Sequence, residues 1–354
     1  MVCVHLRHHR MQLPREVIVG NGAVERVAEV TRRLGFNLSA LVIAGSKTND
    51  IAGKRVRELL EQGGMVVQTL LVEAATIKDV DRVEESIRAF KPQVVFGVGG
   101  GTKIDVAKCS SARSEVPFIS VPTTASHDGI ASPLSSVKGS EKPYSVMAQA
   151  PLAIIADTKI IMQAPWRFAV SGYEDVVAKF TAVKDWKLAH VERNEYFGGY
   201  AASLALMSAK HVMFNVQVVK EKSEEGLRVL LEALISCGVS MSIAGSSHPC
   251  SGSEHLFSHA LEMIRPNCAL HGERCGVGTV MMAYLHGTNW KRIREVLREL
   301  GAPTSAEELG VERNDVLDAL ELAASLRPER FTILNKLSLN RDAYEHLAKV
   351  TGVI

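Results

Sequence analysis

The 354-residue chain lacks a charge bias, since 41 Lys and Arg oppose 39 Asp and Glu for a net charge of +2. No global field therefore points to nucleic acid or to an anionic membrane. It lacks any run of about 18 or more apolar residues, so no membrane span is expected. Its six cysteines, Cys3, Cys109, Cys237, Cys250, Cys268 and Cys275, form no Cys-x-x-Cys pair and no dense framework. They read as reduced thiols in a cytoplasmic protein. Residues 1–10 are rich in His and Arg but hold no apolar core of signal-peptide length. Internal repeats and low-complexity tracts are also missing. What is present is the composition of a globular protein, 46% apolar and 23% charged, with length for about two domains.

The first 160 residues alternate short apolar runs with amphipathic stretches. Strands are expected at 17–19, 40–44, 65–72, 93–96, 118–121 and 152–156. Helices are expected at 23–34, 55–62 and 80–90. This alternation predicts a mostly parallel sheet covered on both faces. Beyond Pro165 amphipathic segments dominate, at 172–190, 195–220, 224–238, 251–264, 272–286, 289–299 and 313–326. We expect a Rossmann-like α/β domain over 1–164 and an all-helical domain over 165–354. The polar stretch 137–142 reads as a hairpin or exposed loop, and the apolar stretch 227–235 as core or interface.

Two loops carry candidate chemistry. Gly-Val-Gly-Gly-Gly-Thr-Lys (97–103) follows a strand and opens a helix. Glycine amides there can approach a pyrophosphate, and the helix start adds a favourable dipole. The pattern is neither Gly-x-Gly-x-x-Gly nor a Walker loop, and a tight turn without ligand is the alternative. The loop 121–132 offers hydroxyls for phosphate, ribose or nicotinamide amide, or for its own backbone. After strand 40–44 no carboxylate appears until Asp50, while Lys47 could attract a 2′-phosphate. NADP is therefore expected to be accepted as well as NAD.

Asp175, His255 and His271 offer one carboxylate and two imidazoles from three segments, the chemistry of an open zinc site. His255 and His259 lie one helical turn apart, with Ser251 or Ser253 as the expected cap. Each residue alone reads more simply, a His as core or surface and an Asp as a cap. The spacing also fails His-Glu-x-x-His and Cys-x-x-Cys, so local patterns do not identify zinc.

Taken together, Gly-Gly-Gly-Thr-Lys-Ile-Asp (99–105), Val-Pro-Thr-Thr-Ala-Ser-His-Asp-Gly-Ile-Ala-Ser-Pro (121–133), Asp-Trp-Lys-Leu-Ala (185–189), Gly-Ser-Glu-His-Leu-Phe-Ser-His-Ala-Leu (252–261) and His-Gly-Glu (271–273) resemble the polyol-dehydrogenase branch of the iron-containing alcohol dehydrogenase superfamily. More narrowly they resemble the archaeal-type sn-glycerol-1-phosphate dehydrogenase family. The resemblance runs from about Leu13 to near the C-terminus. It implies that Gly99, Gly100, Gly101, Thr102 and Lys103, with Thr123, Thr124, Ala125, Ser126 and Ser132, hold NAD or NADP. It implies one zinc per subunit on Asp175, His255 and His271, with Asp128 and His259 touching substrate. Asp175 would also contact substrate. A small residue is expected before the metal-binding Asp, and Glu174 departs from that; on a helix it points about 100° away.

The implied reaction is reduction of dihydroxyacetone phosphate to sn-glycerol 1-phosphate, the glycerol backbone of archaeal membrane lipids. Zinc would polarise the ketone and the nicotinamide would deliver hydride. Asp128 would orient a hydroxyl, and His259 or water would relay the proton. Arg274, Lys179 and Lys142 are candidate phosphate cations, with surface solvation as the default for each. Rival readings are a glycerol dehydrogenase, a 3-dehydroquinate synthase-like lyase and a non-catalytic nucleotide-binding protein. Enzymes of this resemblance are often homo-oligomers, which is the expectation carried here.

Overall fold

The computed structural model describes residues 9, 11–139 and 145–354; Cys3 and Lys142 lie outside these. Short runs of branched apolar residues form a six-stranded parallel sheet of β1 (Glu16–Gly20), β2 (Ser39–Ala44), β3 (Val66–Leu71), β4 (Val94–Gly99) and β5 (Phe118–Pro122). A small antiparallel hairpin, β6 (Leu134–Ser135) with β7 (Val146–Met147), precedes the sixth sheet strand, β8 (Ala153–Asp157). The spatial order is β1-β8-β5-β4-β2-β3. β4, β5 and β8 are buried at every position, whereas the edge strands β1 and β3 are partly exposed. That is the pattern of a parallel sheet covered on both faces.

The expected strand at 93–96 continues to Gly99, because Gly97 lets the next helix close on the sheet. A Cβ at Gly97 would lie 2.9 Å from Phe118 and 3.0 Å from Ala107. Register pairs Gly99 with Pro122, so the glycine loop and the loop after β5 emerge side by side. The short helical stretch Ser46–Gly53 was not expected from the sequence; it follows β2 on that same edge.

After β8 the described residues contain helices and no strand. The expected segment 172–190 is two helices, Trp166–Val177 and Lys179–Arg193, meeting at Ala178. Helices Gly199–Phe214, Glu224–Ala244, Ser253–Ile264, His271–Leu285, Trp290–Glu299 and Arg313–Leu326 follow, with an additional helix at Arg341–Thr351. Glu224–Ala244 is long and apolar enough to cross a membrane by length and composition. However, Leu227, Leu230, Leu231 and Leu234 are buried and share one core with Leu41 and Ile43 of the sheet. The 227–235 stretch is therefore core.

Close backbone approach fixes how the helices meet. A Cβ on Gly272 would lie 1.8 Å from the Ser171 carbonyl oxygen, and one on Gly172 would lie 2.0 Å from that of Ala125. The Trp166–Val177 helix is thus wedged between the loop after β5 and the His271–Leu285 helix. Overpacking such a contact costs about 1–3 kcal/mol. Gly272→Ala should lower stability by about that amount in urea unfolding. Gly199→Ala, where a Cβ meets nothing within 4 Å, should stay within about 0.5 kcal/mol of the unsubstituted protein.

Candidate functional site

A cavity of about 830 Å³ opens where the C-terminal edge of the sheet faces the helical half. Gly101, Thr102, His127, Asp128 and Ser132 line one side, and His255, His259, His271 and Arg274 line the other. The sheet side supplies a cradle. Gly99 has φ +154°, and Gly100 caps the Gly101–Arg113 helix without any side-chain hydrogen bond. The first amides of that helix are therefore available to an anion. A Cβ on Gly101 would fall 1.9 Å from the His127 ring. Glycine is needed there so that His127 can lie over the helix start.

Thr123 N–H donates to the Gly99 carbonyl at 3.0 Å, and the Thr124 and Ser126 hydroxyls lie 3.4 Å apart. Ala125 packs under Gly172, as described above. Ser132 is buried, lines the cavity and donates to the Leu134 carbonyl at 3.3 Å. Lys108, fully buried, donates to the carbonyls of Gly129 and Leu134 at 2.8 and 2.6 Å and pairs with Asp105 at 3.3 Å. It thereby locks the loop after β5 to the glycine helix.

On the helical side Asp175, His255 and His271 converge. His255 Nε2 lies 3.4 Å from Asp175 Oδ1, and the His255 and His271 rings are 5.1 Å apart. Cys275, one turn beyond His271, brings its Sγ to 3.6 Å from His271 Nε2. Donor atoms of His255, His271 and Cys275 all lie within 4.8 Å of one another. Two imidazoles, a carboxylate and a neighbouring thiol make a donor set that suits zinc. The His255 ring is also held as a metal-binding imidazole is, with Nδ1 2.8 Å from Glu254 Oε1.

Local structure explains why these side chains meet. Neither Ser251 nor Ser253 caps the Ser253–Ile264 helix as expected. Instead Asp185, from the 185–189 motif, accepts from Ser253 N at 2.7 Å and from its Oγ at 2.5 Å. Glu273 of the 271–273 motif accepts from Leu270 N at 2.7 Å and binds Arg167 through both carboxylate oxygens at 2.5 and 2.7 Å. Both motif carboxylates are thus structural. Glu174 turns toward Gly276, where a Cβ would meet its Oε1 at 2.4 Å, and both its oxygens are buried without a hydrogen-bond partner. Burial and the nearby Glu273 push its carboxyl well above the usual range, favouring the protonated form.

Charge at the centre is strongly structured. Lys179 Nζ, fully buried, sits 2.7 Å from Asp175 Oδ1 and 2.8 Å from Asp128 Oδ2. Against a burial penalty, these carboxylates hold its ammonium well above the ordinary value. Asp175 is held well below its own despite burial, by Lys179 and the two histidines. His255 is raised despite burial, by Cys275, Asp175 and Glu254. Burial and His255 keep His271 neutral. Burial, then His255 and the arginines Arg274, Arg327 and Arg330, push His259 down to about 3. The rings of His259 and His271 are 5.9 Å apart.

These contacts bear on two of the candidate phosphate cations and overturn the solvated-surface default for both. Lys179 is a buried counter-ion to two carboxylates and does not line the cavity. Arg274 does line it, yet is buried rather than solvated and pairs with Glu262 at 2.9 Å. Lys142 lies outside the described residues. Lys47 is exposed, and Asp50 pairs with Lys54. The carboxylate absent in sequence after β2 arrives in space from Glu73, which accepts from Ser46 N at 2.8 Å and from its Oγ at 2.5 Å. Lys103 Nζ donates to the Glu73 carbonyl at 2.8 Å.

Cys275, Glu254, His127 and Glu73 were missed as site residues. Helical spacing from His271 was a signal for Cys275, and adjacency to His255 was one for Glu254. For Glu73 no local signal existed.

The sequence profile of iron-containing alcohol dehydrogenases matches residues 18–165. The chain is 53% identical to "Glycerol-1-phosphate dehydrogenase [NAD(P)+]" of Methanosarcina mazei, over 97% of this chain and 96% of that one. It is 51% identical to the protein of the same name from Pyrococcus furiosus, over 98% of this chain and all of that one. Among solved structures it is similar to glycerol dehydrogenase from Schizosaccharomyces pombe, with a TM-score of 0.81 and 21% identity over 98% and 90% of the two chains. Sulfoacetaldehyde reductase from Bifidobacterium kashiwanohense in complex with NAD+ gives 0.74 and 16%, over 98% and 99%. At these identities the structural likeness speaks for the fold.

The Glu254 contact generates a test. With zinc added as a probe of this site, Glu254→Gln should weaken binding by about 10–100-fold in a chelator competition, because the carboxylate orients His255. The raised His255 pKa gives a sign as well. Below it the imidazole holds a proton that a metal must displace, so apparent zinc affinity should rise with pH, with proton uptake by the buffer measurable in calorimetry.

Proposed function

The chain belongs to the glycerol-1-phosphate dehydrogenases of the iron-containing alcohol dehydrogenase family, and from that premise we propose that it reduces dihydroxyacetone phosphate to sn-glycerol 1-phosphate with NADH or NADPH, using one zinc ion per subunit. The observation that carries this reading is the convergence of buried Asp175 with His255 and His271, the two histidines lining the same cavity as Gly101 and Thr102 of the glycine loop. When bound, zinc supplies Lewis-acid polarisation of the ketone. The nicotinamide supplies hydride.

The chain's own residues bind, orient and exclude water. Gly99 to Lys103 cradle the pyrophosphate with the amides of the helix start, and Thr123 to Ser126 with Ser132 hold the nicotinamide side. Asp128 keeps one oxygen on Lys179 and directs the other toward a substrate hydroxyl. His259, held neutral, acts as a hydrogen-bonding partner of the substrate oxygen rather than as a charged acid. The buried free thiols support a reducing, cytoplasmic setting. The lipid-backbone role follows from the product.

A homo-oligomer is part of the same proposal. Exposed Tyr200, Met207 and Phe214 recur every seven residues along Gly199–Phe214 and offer one apolar face.

The deciding experiment is NADPH oxidation by zinc-loaded protein on dihydroxyacetone phosphate against dihydroxyacetone. Strong preference for the phosphorylated ketone supports the proposal. Equal or better use of the free ketone moves the assignment to a glycerol dehydrogenase, and turnover without net NADH consumption moves it to a lyase. His255→Ala should lose zinc and activity together. His259→Ala should keep zinc but lose about 100-fold or more in kcat/KM.

Cofactor choice is a separate prediction. Glu73, fixed by Ser46, opposes Lys47 at the edge where a 2′-phosphate would lie. Glu73→Gln should raise the NADPH-to-NADH ratio of kcat/KM about tenfold, and Lys47→Glu should lower it.

A further inference from the structure

The proposed substrate carries a dianion, and the walls of the cavity differ in the charge they present. Three carboxylates line the cavity, Asp105, Asp128 and Glu262. Each is already matched: Asp105 to Lys108, Asp128 to Lys179, and Glu262 to both Lys138 at 3.0 Å and Arg274 at 2.9 Å. Arg274 is further committed to the Ala269 carbonyl and to Ser258 Oγ at 3.4 Å. Its guanidinium therefore braces the turn before His271.

The wall formed by Met241, Ser247, Cys250, Ser251 and Arg327 has no carboxylate. Arg327 is mostly buried and pairs through Nε with Glu329 at 3.1 Å; Glu329 is half exposed and not a cavity residue. Behind this wall lies a second guanidinium, Arg330, only 4% exposed. Its partners are uncharged: Nη2 donates to Ser247 Oγ at 2.8 Å and Nη1 to the Ser251 carbonyl. Its Nε is buried without a partner. Burial and the neighbouring Arg327 lower Arg330 to about 10, and burial with the same two arginines takes His248 down to about 3. Two guanidinium groups thus share one enclosed corner and raise its positive potential.

We propose that Arg327, with the Ser247 and Ser251 hydroxyls, binds the phosphate monoester end of the substrate, and that Arg330 is a positioning residue that clamps the loop carrying both serines. This rests on the reading that the ketone end lies at His255, His259 and His271. The loop leads directly into the Ser253–Ile264 helix, so phosphate binding and ketone placement share one rigid segment. A planar guanidinium and two hydroxyls suit the oxygens of a phosphate monoester, a set of contacts that unphosphorylated dihydroxyacetone cannot supply.

The test uses zinc-loaded enzyme and Arg327→Leu, with Arg327→Lys beside it. The ratio of kcat/KM for dihydroxyacetone phosphate over dihydroxyacetone should fall about 100-fold in Arg327→Leu, mainly through KM for the phosphate ester. Arg327→Lys should recover part of it, because charge returns without the planar fork. Inorganic phosphate, used as a separate probe, should raise the Tm of the unsubstituted protein saturably and should not do so in Arg327→Leu. A ratio within about threefold of the unsubstituted value, with the phosphate shift intact, overturns the assignment. If the unsubstituted enzyme shows no preference for the phosphorylated ketone, the proposed function fails, and the phosphate probe then judges the anion site alone. A shift lost in Arg327→Leu supports the site, and equal shifts in both proteins overturn it.

Discussion

The ammonium of Lys179 is the contact on which the rest of the site depends. It is fully buried at the break between two helices, and it touches one carboxylate from each half of the molecule. Asp128 comes from the loop after β5, and Asp175 from the helix that ends at Val177. The Asp128 amide closes the same knot by donating to Asp175 Oδ2 at 2.8 Å. Asp175 and Lys179 are fully buried while Asp128 is partly exposed to the cavity; such burial is tolerable only while the charges are paired, and removing one partner of a buried pair costs about 3–5 kcal/mol. The sheet edge and the helical half are therefore not free to drift apart at the point where cofactor and substrate must meet. A rigid first contact of this kind is what holds reacting groups in place at no cost during turnover.

Around that knot, several motif residues turn out to be structural. Asp185 caps the histidine helix from afar and also accepts from Ile333 N at 2.7 Å. Gly252 leaves room for it, since a Cβ there would lie 2.6 Å from Asp185 Oδ2. Gly272 permits helix contact, and Glu273 ties the start of its helix to Arg167. A motif near a reactive histidine is thus divided between chemistry and support, and the support is carried mostly by carboxylates that never reach the cavity.

Periodicity made the architecture legible. Continuous apolar runs gave the inner strands, because a sheet covered on both faces needs no polar alternation, and Pro165 marked the change to helices. Where local period failed, a tertiary contact decided: β4 runs through Gly97 because the following helix presses on it. The Ser46–Gly53 turn carries no apolar period at all. The histidines and the glycine loop were readable because reactive and flexible residue types stand out. Burial of charge was not. Lys108, Lys179 and Arg330 look like surface residues in a sequence, and residues distant in the chain complete the set of partners that allows their burial: Gly129 and Leu134 for Lys108, Asp128 for Lys179 and Ser247 for Arg330. Glu73 shows the same limit, since its approach to Ser46 is made by β2 and β3 pairing side by side.

The two ends of the cavity make opposite electrostatic demands. At one end the carboxylates of Asp175 and Asp128 surround a single ammonium, with imidazoles as neutral or proton-displacing donors, a setting that favours a cation. At the other, Arg330 bonds the Ser247 hydroxyl and the Ser251 carbonyl, and the neighbouring Arg327 pairs with the exposed Glu329, a setting that favours an anion. His259, its pKa lowered by burial, is within electrostatic reach of both His255 and the two arginines. A small molecule with a polarisable oxygen at one end and a dianion at the other can satisfy both only in one orientation. Placing the charge discrimination on the loop that enters the histidine helix then makes recognition of the remote group a condition for placing the reacting one, which is how binding energy away from the reacting bond is spent on geometry at it.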